Sequence, residues 1–66
     1  MRYNEIFVVG LDKDGYEMFS NECCTIREAK DDARWRVKND DEFIATGLHK
    51  TEVRVDGECL YNYFVQ

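Results

Sequence analysis

The dipeptide Asp56-Gly57 constrains the fold of this chain more than any other short segment. Both residues tolerate the positive φ that a two-residue type I′ turn requires, and strand-forming residues lie on either side, so the segment predicts a tight β-hairpin. The preceding β region covers residues 42–55, where Gly47 is expected to introduce a bulge or a bend. A two-residue turn also fixes which side chains face each other across the hairpin.

This register predicts two different faces for the hairpin. On the face expected to be buried, Val53 lies opposite Leu60 and His49 lies opposite Phe64. On the other face, Glu52 lies opposite Tyr61, Lys50 opposite Tyr63 and Arg54 opposite Cys59. Because a single helix covers one face of a sheet, we expect the second face to be open, or covered by a partner or by a second copy of the chain.

A second hairpin is predicted near the start of the chain. Residues 2–9 are rich in β-branched and aromatic side chains, the turn 12–15 ends in Gly15, and residues 16–20 form the returning strand. The predicted register places Leu11 opposite Tyr16. The open face is then expected to carry Ile6, Val8 and Phe19 as well.

One helix is predicted between the two hairpins. Thr25-Ile26-Arg27-Glu28 has the spacing of a capping box, in which Thr25 accepts from the amide of Glu28 and the Glu28 carboxylate accepts from the amide of Thr25. The helix should begin at Ile26 and continue to about Lys38. Its buried stripe is expected to consist of Ile26, Ala29, Ala33 and Val37, whose two alanines imply close approach to a sheet.

Together these elements predict an α+β fold in one small domain, residues 1–66. The order is β-hairpin, helix, β-hairpin (ββαββ, or ββαβββ if the last region forms a meander), with one helix packed on an antiparallel sheet of four or five strands. A chain of 66 residues buries about 60% of its surface on folding, which leaves little room for a substrate cavity.

The net charge of −5 is unevenly distributed. Residues 23–39, which include the predicted helix, carry five basic and three acidic side chains, whereas the segments on either side are acidic. An acidic chain lacks the basic surface with which nucleic-acid-binding proteins neutralise phosphates, and it suits a basic protein partner. The longest apolar run, residues 6–9, is too short for a membrane span or an export signal, so we expect a cytoplasmic protein without membrane contact.

Catalytic and metal-binding signals are missing from the sequence. It has no Gly-rich phosphate loop and no H-x-E, H-E-x-x-H or G-x-S-x-G motif, and its adjacent acidic residues are typical of solvated surfaces. Cys23, Cys24, Cys59 and His49 are residue types that bind zinc. Adjacent cysteines, however, lack the ligand spacing of structural zinc sites, and the predicted register points His49 and Cys59 to opposite faces. We expect no enzymatic activity, no metal and no cofactor.

Aromatic side chains are the first candidates for partner binding. Trp35, the single tryptophan, lies on the outer side of the predicted helix, opposite the buried stripe. We interpret it either as an interface anchor or as a ring folded over the helix end against Phe43 or the chain terminus. Tyr61 and Tyr63 lie among charged residues on the predicted open face, a composition typical of protein recognition surfaces and also of solvated tyrosines without a partner.

The first hairpin, the T-x-x-E-A-x-x-x-A pattern of residues 25–33 and the Asp56-Gly57 hairpin together resemble small phage-encoded proteins that take over host machinery, such as the phage inhibitors of bacterial RNA polymerase. In size and charge the chain is also similar to anti-CRISPR proteins. The resemblance implies a compact, non-enzymatic protein that binds a large host complex and blocks it. It carries over no particular binding residue.

We therefore predict a small acidic protein, encoded by a phage or mobile element, that inhibits a nucleic-acid-processing or defence complex of a bacterial host by occupying a basic surface. The candidate contact residues are Asp12, Asp14, Asp40, Asp41 and Glu42 in acidic loops, with Trp35, Tyr61 and Tyr63 as anchors. One alternative is a homodimer whose open sheet faces pack together. Another is a nucleic-acid-binding module that uses the basic helix residues Arg27, Lys30, Arg34, Arg36 and Lys38.

Overall fold

The computed structural model describes residues 5–66, in which four strands and two helices form one small α+β domain. In chain order they are β1 (Ile6–Asp12), β2 (Glu17–Cys23), α1 (Ile26–Asn39), α2 (Asp41–Ala45), β3 (Leu48–Val55) and β4 (Glu58–Phe64). Neighbouring strands are antiparallel in the order β2-β1-β3-β4, and α1 packs on one face of this sheet. The predicted ββαββ arrangement is confirmed, except that the first three residues of the predicted first strand, 2–4, lie outside the described part.

The capping box at the start of α1 forms as predicted, with one difference. The amide of Glu28 donates to Oγ1 of Thr25 at 3.1 Å. The Glu28 carboxylate in turn accepts from the amide of Cys24 at 3.2 Å, one residue earlier than the amide of Thr25 that the motif favours. Two backbone donors at the helix start are thereby satisfied, so α1 begins at Ile26.

The predicted buried stripe of α1 is confirmed. Ala29, Ala33 and Val37 are buried, and Ile26 packs at the margin of the core. Small alanine side chains let the helix backbone come so close to the sheet that the hydroxyl of Thr51 in β3 donates to the carbonyl of Ala33 at 2.9 Å. Thr51 is fully buried, so this hydrogen bond satisfies a polar group that would otherwise be costly inside the core.

The face of β1 that meets the helix is the opposite of the predicted one. Ile6 and Val8 form the core with the two alanines of α1, and Phe19 packs against them, so their predicted placement on the open face is wrong. β1 is apolar on both faces, and alternation alone could not choose between them. Gly10 continues the row of Ile6 and Val8, and Phe19 fills the space that its missing side chain leaves, because a Cβ there would lie 2.1 Å from the Phe19 ring.

The turn of the second hairpin is confirmed, but the predicted register holds only next to the turn. Asp56 and Gly57 have φ values of 52° and 86°, as a type I′ turn requires. Arg54 pairs with Cys59 as predicted, whereas Val53 pairs with Tyr61 instead of Leu60. One extra residue, Leu60, is therefore inserted in β4 as a bulge, and it reverses the faces of everything that follows.

This bulge corrects the predicted positions of the β4 side chains. Tyr61 and Tyr63 lie opposite Val53 and Thr51, on the face that α1 covers and not on the open face. The residues that the predicted register assigned to the core beside Val53 are exposed instead. These residues are His49, Leu60 and Phe64.

The first hairpin also has a different register. Leu11 pairs with Glu17 and not with Tyr16, and a bulge between Gly10 and Leu11 places Phe19 opposite Gly10. Gly15 takes the predicted positive φ, 87°. Beyond the bulge the strands have moved by two residues from the predicted register, a shift that keeps each side chain on its face.

The predicted β region 42–55 is divided into a short helix and a strand. Residues Asp41–Ala45 form α2, and β3 begins at Leu48 after Gly47, whose φ of 116° allows the chain to reverse. Phe43 of α2 contacts Phe19 with a ring-centroid distance of 4.8 Å. This contact holds α2 against the first hairpin, on the face of the sheet that α1 covers.

Candidate functional site

The topology brings the two predicted acidic loops to the same end of the fold. β1 ends at Asp12, which pairs with Leu48 at the start of β3. α1 begins beyond the last residue of β2 and returns along the sheet, so its last turn and α2 lie at that same end. Exposed carboxylates therefore converge here from two segments that are distant in sequence. We call this group the acidic end, and it consists of Asp14, Glu17, Asp41 and Glu42.

The loop between β1 and β2 is rigidly built around the carboxylate of Asp12. Its Oδ1 accepts from the amides of Asp14 and Tyr16, both at 2.9 Å. The amide of Gly15 donates to the Asp12 carbonyl at 3.0 Å, which closes the turn. Asp12 therefore stabilises the loop, and Asp14 is the predicted contact residue in this loop whose carboxylate is left exposed to a partner.

At the junction of α1 and α2, Arg36 neutralises part of the acidic charge. Its guanidinium contacts Asp40 at 2.8 Å and Asp32 at 3.1 Å, and it also lies 4.4 Å from the Phe19 ring centroid. The side chain of Asp40 is only 14% exposed. Asp40 is thus a structural residue, and the predicted contact residues Asp41 and Glu42 carry the exposed charge of this segment.

Two exposed aromatic side chains lie on segments that lead to the acidic end. Trp35 lies in the second half of α1 with 53% of its surface exposed, and Phe43 contacts Phe19, so Trp35 adopts the exposed position and does not fold onto Phe43. Tyr16, which sequence reasoning overlooked, follows the turn of the first hairpin and is 72% exposed. The sequence signal for Tyr16 was its position directly after the glycine of a hairpin turn, in an acidic loop.

Tyr61 and Tyr63 lie on the face of the sheet that α1 covers. Tyr63 packs against the hydrophobic core. The ammonium of Lys30 lies 4.4 Å from the ring centroid of Tyr61, which remains 38% exposed. The structure therefore does not unite these tyrosines with Trp35 in one surface.

The open face of the sheet, the face that α1 leaves uncovered, carries Lys50, Glu52 and Arg54 of β3 as predicted, and the structure adds that they form an ion-paired row. Glu52 contacts Arg54 at 2.8 Å and Lys50 at 3.1 Å. Burial raises the pKa of Glu52, but the hydrogen bonds and positive charges of Arg54 and Lys50 outweigh it, and the net pKa is lowered. A shallow groove of about 240 Å³ beside this row is lined by Phe7 and Val9 of β1.

The basic residues of α1 are largely engaged with other side chains. Arg34 pairs with Asp31 at 2.9 Å, Arg36 is held between two aspartates, and Lys30 covers Tyr61. The remaining two basic positions of the helix are Arg27 and Lys38. The helix therefore does not present the five free cations that the nucleic-acid-binding alternative requires.

The cysteines and the histidine form no metal cluster within residues 5–66. Cys23 is partly buried, and all three cysteines are free thiols. Burial, followed by the negative charges of Asp32 and Glu28, raises the pKa of Cys23, which disfavours its thiolate form. His49 is exposed and packs edge-on against Phe64 at a centroid distance of 5.5 Å.

Across the described segment, no helix has both the length and the apolar character needed to span a membrane. Comparisons with protein families, with curated proteins and with solved structures found no match to this chain.

Proposed function

We propose that this chain is a non-catalytic binding protein that docks its acidic end on a basic surface of a macromolecular partner. The observation that carries the proposal is the convergence of exposed carboxylates from the β1–β2 loop and from α2 at one end of the fold. Among the ion pairs of residues 5–66, none involves the four side chains of the acidic end, so their charge is available to a partner.

The partner class follows from the sign and position of this charge. Protein surfaces that receive nucleic acid are basic, and an acidic protein competes for them by presenting carboxylates where phosphates would bind. The resemblance to small phage-encoded inhibitors favours the same class. We therefore propose an inhibitor, encoded by a phage or mobile element, of a nucleic-acid-processing or defence complex in the cytoplasm of a bacterial host.

Binding would proceed in two stages. Long-range attraction between the acidic end and the basic surface speeds the encounter, and this stage weakens as salt screens the charges. Burial of exposed aromatic rings then slows dissociation. Trp35 and Tyr16, exposed by 53% and 72%, are the rings beside the acidic end.

Affinity capture followed by competition tests the proposal. The purified chain is immobilised, bacterial lysate is applied at low salt, and retained proteins are identified by mass spectrometry and then purified. We expect a retained nucleic-acid-binding protein whose complex with this chain is displaced by its own nucleic acid. Retention of no such protein at low salt, or a complex that nucleic acid does not displace, contradicts the proposal.

The role of Trp35 is tested with a matched pair of variants in the same binding assay. Trp35→Ala removes the exposed ring beside the acidic end and should weaken binding by about 30-fold, as expected for a tryptophan anchor. Leu60→Ala removes a side chain that is similarly exposed, by 48%, but lies in the bulge of β4. It should leave the affinity unchanged, and equal effects of the two variants would argue against Trp35 as an anchor.

A further inference from the structure

The outer edge of β4 is unusually apolar for a sheet edge. β2 and β4 are the outermost strands of the described sheet, so each presents backbone groups that no neighbouring strand pairs. β4 has the sequence ECLYNYF, with a single charged residue, Glu58. Leu60, Tyr61 and Phe64 of this strand are 48%, 38% and 49% exposed. Natural edge strands are usually protected by charged residues or by proline. β4 has one charged residue and no proline.

The backbone groups that face outward from β4 can be assigned from its pairing with β3. The amide of Val65 donates to the carbonyl of His49 at 2.9 Å, and the register continues residue for residue from there to Tyr61. Because hydrogen-bonded and non-hydrogen-bonded pairs alternate in antiparallel sheets, the amides of Tyr61, Tyr63 and Val65 face β3. The amide and carbonyl groups of Asn62 and Phe64 therefore face away from the sheet.

Charge distinguishes the β4 edge from the rest of this acidic molecule. The ammonium of Lys30 lies 4.4 Å from the Tyr61 ring on one face of the strand, and that of Lys50 lies 5.7 Å from the Phe64 ring on the other. Lys50 is already ion-paired with Glu52, so Lys30 is the cation that offsets the single glutamate of β4. By contrast, the other edge, β2, contains two glutamates and no basic residue. In a chain with a net charge of −5, a second copy therefore meets weaker repulsion at the β4 edge than at the β2 edge.

We propose that β4 pairs with β4 of a second copy in antiparallel orientation and joins the two sheets into one. The arrangement is isologous, since the same edge serves both chains. With Tyr63 opposite Tyr63 of the second copy, Asn62 lies opposite Phe64 of that copy, and the outward groups of both residues find partners. The bulge at Leu60 ends the paired segment, so it comprises residues 61–65.

This inference is independent of the proposed function. Each copy in such a dimer would keep its own acidic end. If the chain does not self-associate, binding of the monomer to the partner can still be tested. The open face plays no part in the interface, which separates this arrangement from a dimer formed by packed sheet faces.

Sedimentation velocity and amide hydrogen exchange test the proposal. Sedimentation of the full chain over a wide concentration range should show a twofold rise in mass as monomer becomes dimer. Asn62→Pro removes an outward amide without breaking a β3–β4 hydrogen bond, and should raise the dimer dissociation constant by about tenfold or more. Asn62→Ala changes the side chain but keeps the amide, and should leave the dimer constant unchanged.

Hydrogen exchange measured on the unmodified chain tests the proposal without depending on the correct folding of a variant. The amides of Tyr61, Tyr63 and Val65 should be protected at every concentration, whereas those of Asn62 and Phe64 should become protected only at concentrations that give dimer. A chain that is monomeric even at the concentrations used for NMR overturns the proposal. So does a dimer in which the Asn62 and Phe64 amides exchange freely, since it would use another surface such as the open face.

Discussion

Replacing Gly10 by alanine tests the packing that holds the acidic end together. A Cβ at this position would lie 2.1 Å from Cε2 of Phe19 and 2.6 Å from Cδ2 and Cζ. Ordinary carbon–carbon contacts are about 3.5–4.0 Å, so the ring would have to move by roughly 1.5 Å. It cannot move freely, because Arg36 lies over it and Phe43 packs beside it.

The expected loss of stability follows from these contacts. Forcing extra volume into a packed site costs about 1–3 kcal/mol, and weakening the Phe19–Phe43 pair adds about 0.5–1.5 kcal/mol. Alanine restricts the unfolded chain more than glycine does, which offsets about 0.4–1 kcal/mol. Together these terms lead us to expect that Gly10→Ala lowers the free energy of unfolding by about 0.5–4 kcal/mol, most of it from the displaced ring. A domain of this size has a total of roughly 3–10 kcal/mol, so the effect is large.

Equilibrium urea unfolding of a double-mutant cycle measures this effect. Phe19→Val removes all three ring atoms that the new methyl group would meet. In that background Gly10→Ala should be neutral, or stabilising by up to about 1 kcal/mol. The unfolded-chain term is common to both backgrounds, so the two substitutions should couple by the packing and ring-pair terms, about 1.5–4.5 kcal/mol. If Gly10→Ala costs the same in both backgrounds, or costs nothing in the natural chain, the close approach of Phe19 to Gly10 is wrong.

Three further predictions concern single side chains. Thr51→Val removes the buried hydrogen bond to α1 without changing the shape of the residue, and should lower the free energy of unfolding in urea by about 1 kcal/mol. Thr51→Ser keeps the hydroxyl that donates this hydrogen bond, so it should lose less of the hydrogen-bond contribution. The folded-state pKa of Glu52 lies below its ordinary value of 4.5, so its contribution to stability is complete above that pH and is lost as the pH falls through the lowered pKa. Glu52→Gln should accordingly flatten the acid side of the unfolding free energy plotted against pH, and an unchanged profile would contradict the lowered pKa. Cys23, with its raised pKa and partial burial, should react with a thiol reagent near pH 8 more slowly than exposed Cys24, as peptide mapping of the modified chain would show.

The local signals of the sequence predicted the elements of the fold well. The Thr25 and Glu28 capping box gives the correct start of α1, and the spacing of its two alanines gives the correct buried stripe. The Asp56-Gly57 turn adopts the predicted positive φ at both residues. Each of these signals lies within a short stretch of sequence, and in this chain no distant contact overrides it.

Strand register was predicted less well because it depends on contacts between segments. The bulge at Leu60 carries no glycine or other local marker, yet it moves two tyrosines to the other face of the sheet. The face of β1 could not be chosen from its own apolar pattern, although Gly10 offered a hint that a large side chain crosses the strand there. The short helix α2 was missed because Phe43 and Ile44 favour strands locally, and the packing of Phe43 on Phe19 is formed only in the folded chain.

The composition of the candidate site was predicted in part. The acidic residues were identified, but their convergence at one end depends on the antiparallel path of β1, α1 and β3. The structural roles of Asp12 and Asp40 could not be separated from the exposed positions of Asp14 and Asp41 without the hydrogen bonds. The i, i+4 spacing of Arg36 from Asp32 and from Asp40 was the available signal for one of these roles.

The most direct test of the proposed function compares two triple charge reversals against the purified partner. Asp14→Lys, Asp41→Lys and Glu42→Lys together reverse the charge at three of the four residues of the acidic end. Glu5→Lys, Glu22→Lys and Glu58→Lys together form the matched control, since these exposed glutamates lie at the opposite end of the sheet and the change in net charge is the same.

The dissociation constant of each variant is measured at low and at moderate salt. We expect the acidic-end variant to lose at least about tenfold in affinity and most of its salt dependence. The control variant should stay much closer to the unmodified chain in both quantities. Equal losses in the two variants would mean that only net charge matters. A larger loss in the control would place the binding surface at the other end of the fold, and either result would contradict binding through the acidic end.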